Sequence, residues 1–213
     1  MPVSFLTPEQ ERQYGRFPAD VSAEQLARFF YLDDVDRAFV LRHRGDHMRL
    51  GCAVQLGTVR FLGTFLEDPC EVPPRVVRFL GDQIGTPIDS TLDAYRASQW
   101  RWRHPVEIRS RYGYRDFSDS AAQWRLLRWL YALCWTGTDR PSALFDQATA
   151  WLVTHKVLLP GESVLERTIA RVRFRANSRL WRLLAARITP DQKARLDALL
   201  VVPESGKHAR RVA

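Results

Sequence analysis

The chain has 213 residues, 46% of them hydrophobic, with seven Trp and eleven Phe, which excludes a disordered chain and leaves room for one large or two to three small folded units. Its 32 Lys and Arg against 24 Asp and Glu give a formal charge of +8, an arginine-dominated excess that suits a polyanionic partner. No run of eighteen apolar residues occurs and the opening MPVSFLTPEQ has no charged start before an apolar stretch, so a cytoplasmic protein without a membrane segment is expected.

Helix starts are legible from the first residues. Thr7-Pro8-Glu9-Gln10 sets a capping hydroxyl, a proline at the first helical position and a glutamine at the third, and Ser22-Ala23-Glu24-Gln25 repeats that logic. The second of these helices carries Leu26, Phe29 and Phe30 as a buried stripe. Asp33 or Asp34 then caps a helix reaching Arg44, which Gly45 closes in the left-handed conformation. Asp33, Asp34 and Asp36 are read as capping carboxylates rather than as a metal cluster.

Asp46 opens a helix over 47–62 that is apolar on most sides, with polar residues His47 and Arg49 gathered in its first turn. Helix, glycine turn and basic first turn match the pattern of a helix-turn-helix, although generic helical hairpins share it. Residues 67–74 hold Pro69, Pro73 and Pro74 and read as a linker. Helices follow from Pro74 to about 84, and from a cap at Ser90-Thr91 through Tyr95.

The stretch 101–117, RWRHPVEIRSRYGYRDF, sets five arginines, a histidine and four aromatic rings in the middle of the chain. Pro105 marks the first position of a short helix ending at Tyr112-Gly113, with Arg101, Arg103 and His104 in the turn before it. Ile108 and Tyr112 share one face, and Arg109 and Arg111 are displaced from it. This is a second helix-turn-helix candidate.

Asp119 or Ser120 caps a helix to about 135 that is apolar nearly all round and is expected to be buried on several sides. Pro141 starts the next, to about 156. The long helical signal over 163–188 has Leu165, Ile169, Val172, Ala176, Leu180 and Leu183 inside, while Arg167, Arg171, Arg175 and Arg179 recur every four residues outside. A solvated helix face normally mixes signs, so this face favours phosphate. Thr189 caps a last short helix, and the residues after Pro203 form a basic tail expected to be disordered.

No phosphate loop, dinucleotide fingerprint, nucleophile elbow or Cys-His pair for covalent catalysis is present. Cys52, Cys70 and Cys134 are read as reduced, buried thiols. His43 and His47 stand four apart, but Gly45 lies between them and no third ligand is evident, so no metal and no cofactor is expected.

Arg42-His43-Arg44, residues 47–56 and 60–65, Glu67-Asp68-Pro69, Val72-Pro73-Pro74, Tyr95, His104, Glu107-Ile108 and Tyr112-Gly113-Tyr114-Arg115-Asp116-Phe117 form an extended pattern. In that pattern, over about residues 3–200, the chain resembles the N-terminal region of class II replicative, Tn-three family, transposases. The resemblance implies double-stranded DNA at transposon terminal inverted repeats as the partner, and strand cleavage by a metal-dependent acidic triad in a later domain, so this region alone is expected not to be an enzyme. It leaves open a stand-alone regulator that occupies the ends, or a helical protein-interaction module with a basic face, and a homodimer in the full transposase.

The expected architecture is all-α, with tandem helix-turn-helix-like modules: a first over 1–67, a larger region over 68–206 holding one or two more, and a tail over 207–213. Arg42, Arg44, His47 and Arg49 are the DNA candidates of the first module. Arg101, Arg103, His104, Arg109 and Arg111 serve a second, and Arg167, Arg171, Arg173, Arg175 and Arg179 a third surface.

Overall fold

A computed structural model describes residues 5–86, 91–137 and 139–200. These residues are all-helical: α1 Pro8–Gln13, α2 Ala23–Phe29, α3 Asp34–Leu41, α4 Asp46–Leu62, α5 Pro74–Ile84, α6 Thr91–Ala97, α7 Trp100–Tyr112, α8 Ser120–Thr136, α9 Pro141–Thr154, α10 Glu162–Ala185 and α11 Pro190–Leu200. No strand occurs among them, and a single parallel bridge joins Arg115 to Val157. The expected cap at Ser90 and the basic tail lie outside the described residues.

The local signals act as capping chemistry requires. Thr7 with Gln10 and Ser22 with Gln25 both close reciprocal capping boxes, and Asp33 with Asp36 closes a third. α3 ends at Leu41, three residues before the expected stop, because the His43 amide bonds back to Val40 in a tightened last turn. Gly45, at φ 87°, opens α4 instead of closing α3.

Two hydrophobic clusters form. The first gathers α2 to α7 around α4, whose residues from Leu50 to Val59 are all buried. Such a central helix needs small residues where its neighbours cross: a Cβ at Gly51 would overlap the Tyr95 ring of α6, and one at Gly57 would overlap Phe30 beside α2. The second cluster packs α8, α9 and the first half of α10, with Leu126, Leu130, Leu144, Leu152, Leu165 and Ile169 fully or almost fully buried.

Chain order and packing do not coincide. α1 lies against α9, with Gln10 Nε2 donating to Asp146 at 2.8 Å and the Tyr14 hydroxyl to the Pro160 carbonyl at 2.9 Å. Helices on both sides of the proline-rich residues 67–74 contribute to the first cluster, and the change of cluster falls between Tyr114 and Phe117. The Gly63 carbonyl, which accepts from the Leu159 amide at 3.0 Å, links the end of α4 to the connector before α10.

α8 is buried on one face only. Trp124 is 59% and Trp135 40% exposed, because α9 and α10 cover the side of Leu126 and Leu130 and nothing described covers the other.

Candidate nucleic-acid interface

The turn between α3 and α4 brings its residues to different depths. Arg42 is half exposed, lies over the Phe39 ring at 4.3 Å and donates to Glu107 Oε2 at 2.7 Å. Arg44 is exposed and has no ion pair among the described residues, whereas Arg49 turns back, its Nε donating to the His43 carbonyl at 3.0 Å. Arg49 therefore fixes the turn. His47 is half-buried. Beyond its first turn α4 has no exposed face, so it cannot lie along a groove; only the turn before it reaches solvent.

α7 begins at Trp100, five residues before Pro105. A proline inside a helix deprives the carbonyl four residues earlier of its partner. That carbonyl is Arg101's, and Gln55 Nε2 from α4 donates to it at 2.9 Å. The expected turn arginines are thus helical. His104 and Ile108, one turn apart, face inward and are fully buried, so His104 has no surface to offer DNA. Its Nδ1 lies 2.8 Å from the Tyr95 hydroxyl, and burial, with neighbouring His43 and Arg42, lowers its pKa to about 3. Burial likewise lowers the pKa of His43, against the Glu107 charge that raises it. The helical period contained this: His104 stands four residues before Ile108 and shares its face.

The outer face of α7 carries Trp102, Arg103, Val106, Ser110 and Arg111. Trp102 is 57% and Val106 64% exposed. Arg111 reaches the same Phe39 ring as Arg42, at 5.3 Å, and Arg42, Val106, Glu107, Ser110 and Arg111 line one shallow groove. Two arginine segments far apart in sequence thereby meet. Arg109 is partly engaged with Asp116 at 3.5 Å. Arg101 and Trp102 instead face Glu67, Asp68 and Glu71.

Behind these residues stands an ion pair that sequence reading missed. Asp36, almost fully buried, accepts from both Arg60 terminal nitrogens at 2.7 Å and from the Tyr112 hydroxyl at 2.8 Å, joining α3, α4 and α7. Burial opposes its ionisation, but these hydrogen bonds outweigh that cost and hold the carboxyl below its ordinary pKa. Asp36 also serves in the capping box, which concealed its second role.

α10 presents a different surface. Leu165, Ile169, Val172 and Ala176 are buried against α8 and α9, while Leu180 and Leu183 are 39% and 48% exposed, the helix having run past its packing partners. Arg167, Arg171, Arg175 and Arg179 all lie exposed, and no salt bridge to any of them occurs among the described residues. Arg173 is half-buried beside Cys134 and Asn177.

A family model described as "Domain of unknown function (DUF4158)" matches residues 5–172. The chain belongs to that family. It is also homologous to the N-terminal region of Tn-three family transposases. It is 46% identical over 96% of its length to the transposase for transposon gamma-delta of Escherichia coli, covering 20% of that protein. Against the transposase for transposon Tn501 of Pseudomonas aeruginosa it is 33% identical over 84%, covering 18%. Against the transposase for transposon Tn1546 of Enterococcus faecium it is 29% identical over 92%, covering 19%. The chain thus spans about a fifth of the length of these relatives. No helix among its described residues is long and apolar enough to cross a membrane.

Proposed function

We propose that this chain binds the terminal inverted repeats of a transposon as the end-recognition region of a replicative transposase. The observation that carries the reading is the outer face of α10, four exposed arginines at a four-residue repeat with no carboxylate partner among the described residues, on a chain whose relatives are transposases. Planar guanidinium forks at that spacing suit a row of phosphates. The groove formed by Arg42, Ser110 and Arg111, flanked by Arg44, Arg103 and Arg109, supplies the second contact surface. The helix-turn-helix-like modules expected within 1–67 and 68–206 reduce in this reading to the turn before α4, to α7 and to α10.

Neutralising six to eight phosphates gives the logarithm of affinity a slope of about −5 to −7 against the logarithm of salt concentration. Titration of an inverted-repeat duplex at several salt concentrations measures it, and a near-flat dependence overturns the reading. Footprinting on repeat and scrambled duplexes tests specificity: protection confined to the repeat is expected.

One observation favours a second reading for part of α10. Phe174 is 73% and Trp181 67% exposed, and apolar surface of that size suits a protein surface. A protein-interaction module with a basic face protects neither duplex.

A further inference from the structure

The centre of the first cluster holds a group of nitrogen and sulfur side chains that the DNA reading does not employ. His43 from the turn after α3, Cys52 from α4 and His104 from α7 each place one donor atom within 4.8 Å of the other two, and all three residues are buried. Nε2 of His43 and Nε2 of His104 are enclosed and have no hydrogen-bond partner among the described residues. Leaving an enclosed ring nitrogen unsatisfied is unfavourable, so two in one place, beside a thiol, call for a ligand.

We propose that His43, Cys52 and His104 form a structural site for a divalent, borderline-soft cation, zinc above all. The donor set is of the nitrogen and sulfur type that zinc selects. Tetrahedral zinc, with bonds of about 2.0–2.1 Å to nitrogen and 2.3 Å to sulfur, separates its donors by about 3.3–3.6 Å, so the group closes by side-chain movements of roughly an ångström. A fourth donor, an oxygen, stands at the rim: Glu107 Oε2 lies 3.6 Å from His43 Nε2 and is steadied by Arg42 at 2.7 Å.

The surroundings fit such an ion in two further respects. A histidine ligand usually presents its second ring nitrogen to a hydrogen-bond partner that fixes its orientation. His104 Nδ1 meets the Tyr95 hydroxyl at 2.8 Å, and that hydroxyl is itself held by Gln55 Nε2 at 2.6 Å. On binding, the Cys52 thiol releases its proton to solvent, and one thiolate with one carboxylate balances the dication, leaving a neutral buried site. The bound ion ties the Arg42–Arg44 turn to α7, linking the two segments that line the shallow groove. Its enclosure makes it a structural site without an open position for a reacting group.

Nothing in this proposal depends on DNA binding, and its test reads metal directly. The 213-residue chain, stripped with chelator and titrated with zinc chloride, takes up one equivalent, and its melting temperature rises by roughly 5–10 °C at a hundredfold excess over the dissociation constant. Cobalt chloride in place of zinc produces a thiolate-to-cobalt charge-transfer band. Cys52→Ser abolishes that band, and Glu107→Gln weakens affinity while keeping it. Cys70→Ser with Cys134→Ser, which leaves Cys52 as the sole thiol in a chain whose centre is untouched, retains the band in full. Loss of the band in that double variant, absence of the band in the unaltered chain, or no zinc-dependent shift in melting each overturns the proposal.

Discussion

The two clusters of this chain dispose of their arginines in opposite ways. In the first, Arg60 is bound by Asp36, Arg42 by Glu107, Arg49 by the His43 carbonyl and Arg96 by Asp68 at 2.9 Å. In the second, α8, α9 and α10 pack through an apolar core, and Arg167, Arg171, Arg175 and Arg179 stand outside with no acidic partner among the described residues. Arginine content alone therefore does not locate a nucleic-acid surface. What separates these arginines is where the carboxylates lie: within reach of Arg60, Arg42 and Arg96 in the first cluster, and away from the outer face of α10.

The sharpest way to break this comparison is to remove the buried half of an ion pair. Arg60→Ala leaves Asp36 enclosed without its cation, and a loss of about 3–5 kcal/mol of stability is expected by urea unfolding, because an uncompensated buried charge is costly. The pH response has a definite sign. The folded-state pKa of Asp36 is depressed, so the stability it contributes is present above the ordinary carboxylate range, near 4, and is lost as pH falls through the folded value. In Arg60→Ala burial is left to raise that carboxyl, so the part of the acid-dependent loss of stability due to Asp36 shrinks. An unchanged acid limb sinks the assignment of Asp36 as the coupled group.

A smaller effect is expected at the crossing of α2 and α4. The added methyl of Gly57→Ala meets the Phe30 ring, itself fully buried, and the overpacking costs about 1–3 kcal/mol in thermal unfolding. A neutral result means that Phe30 can move aside, and that this crossing is looser than its geometry indicates.

What was legible in the sequence follows the same division between local and distant causes. Caps at Thr7, Ser22 and Asp33, and the breaks at Gly85 and Gly113, act through neighbours in the chain, and the helix ends they set are where such signals place them. Pro105 misled for a physical reason. A proline normally begins a helix, but here Gln55, fifty residues earlier, supplies the donor that the Arg101 carbonyl lacks, so α7 continues through it. The pairing of Asp36 with Arg60, and the meeting of His43, Cys52 and His104, depend on the same long-range packing and leave no local trace. The row of arginines on α10 was legible because a helix displays its period in the sequence itself.

On α10 the comparison is sharpened by binding rather than stability. Arg171→Ala and Arg175→Ala touch exposed side chains, so each changes stability by no more than about 0.5 kcal/mol. Each lowers the magnitude of the salt slope on DNA by about one if it meets a phosphate, with similar losses on repeat and scrambled duplexes. A large loss of stability with an unchanged slope assigns these residues to folding instead.

A comparably small effect on folding is expected where the two kinds of arginine meet, at Arg109. Its partner Asp116 is held first by the Ser118 amide at 3.0 Å and the Ser118 hydroxyl at 2.8 Å, which already keep its pKa below the ordinary value. The guanidinium, 3.5 Å away and 38% exposed, adds only a weak surface pair, so Arg109→Ala costs at most about 0.2–1 kcal/mol of stability. Because Asp116 keeps its turn without it, Arg109 is free to exchange that carboxylate for DNA. If it reaches a base edge, specific affinity falls more than nonspecific affinity in paired titrations. Equal losses on both duplexes make it a phosphate contact of the α10 kind, and no loss on either leaves it with the internally paired arginines of the first cluster.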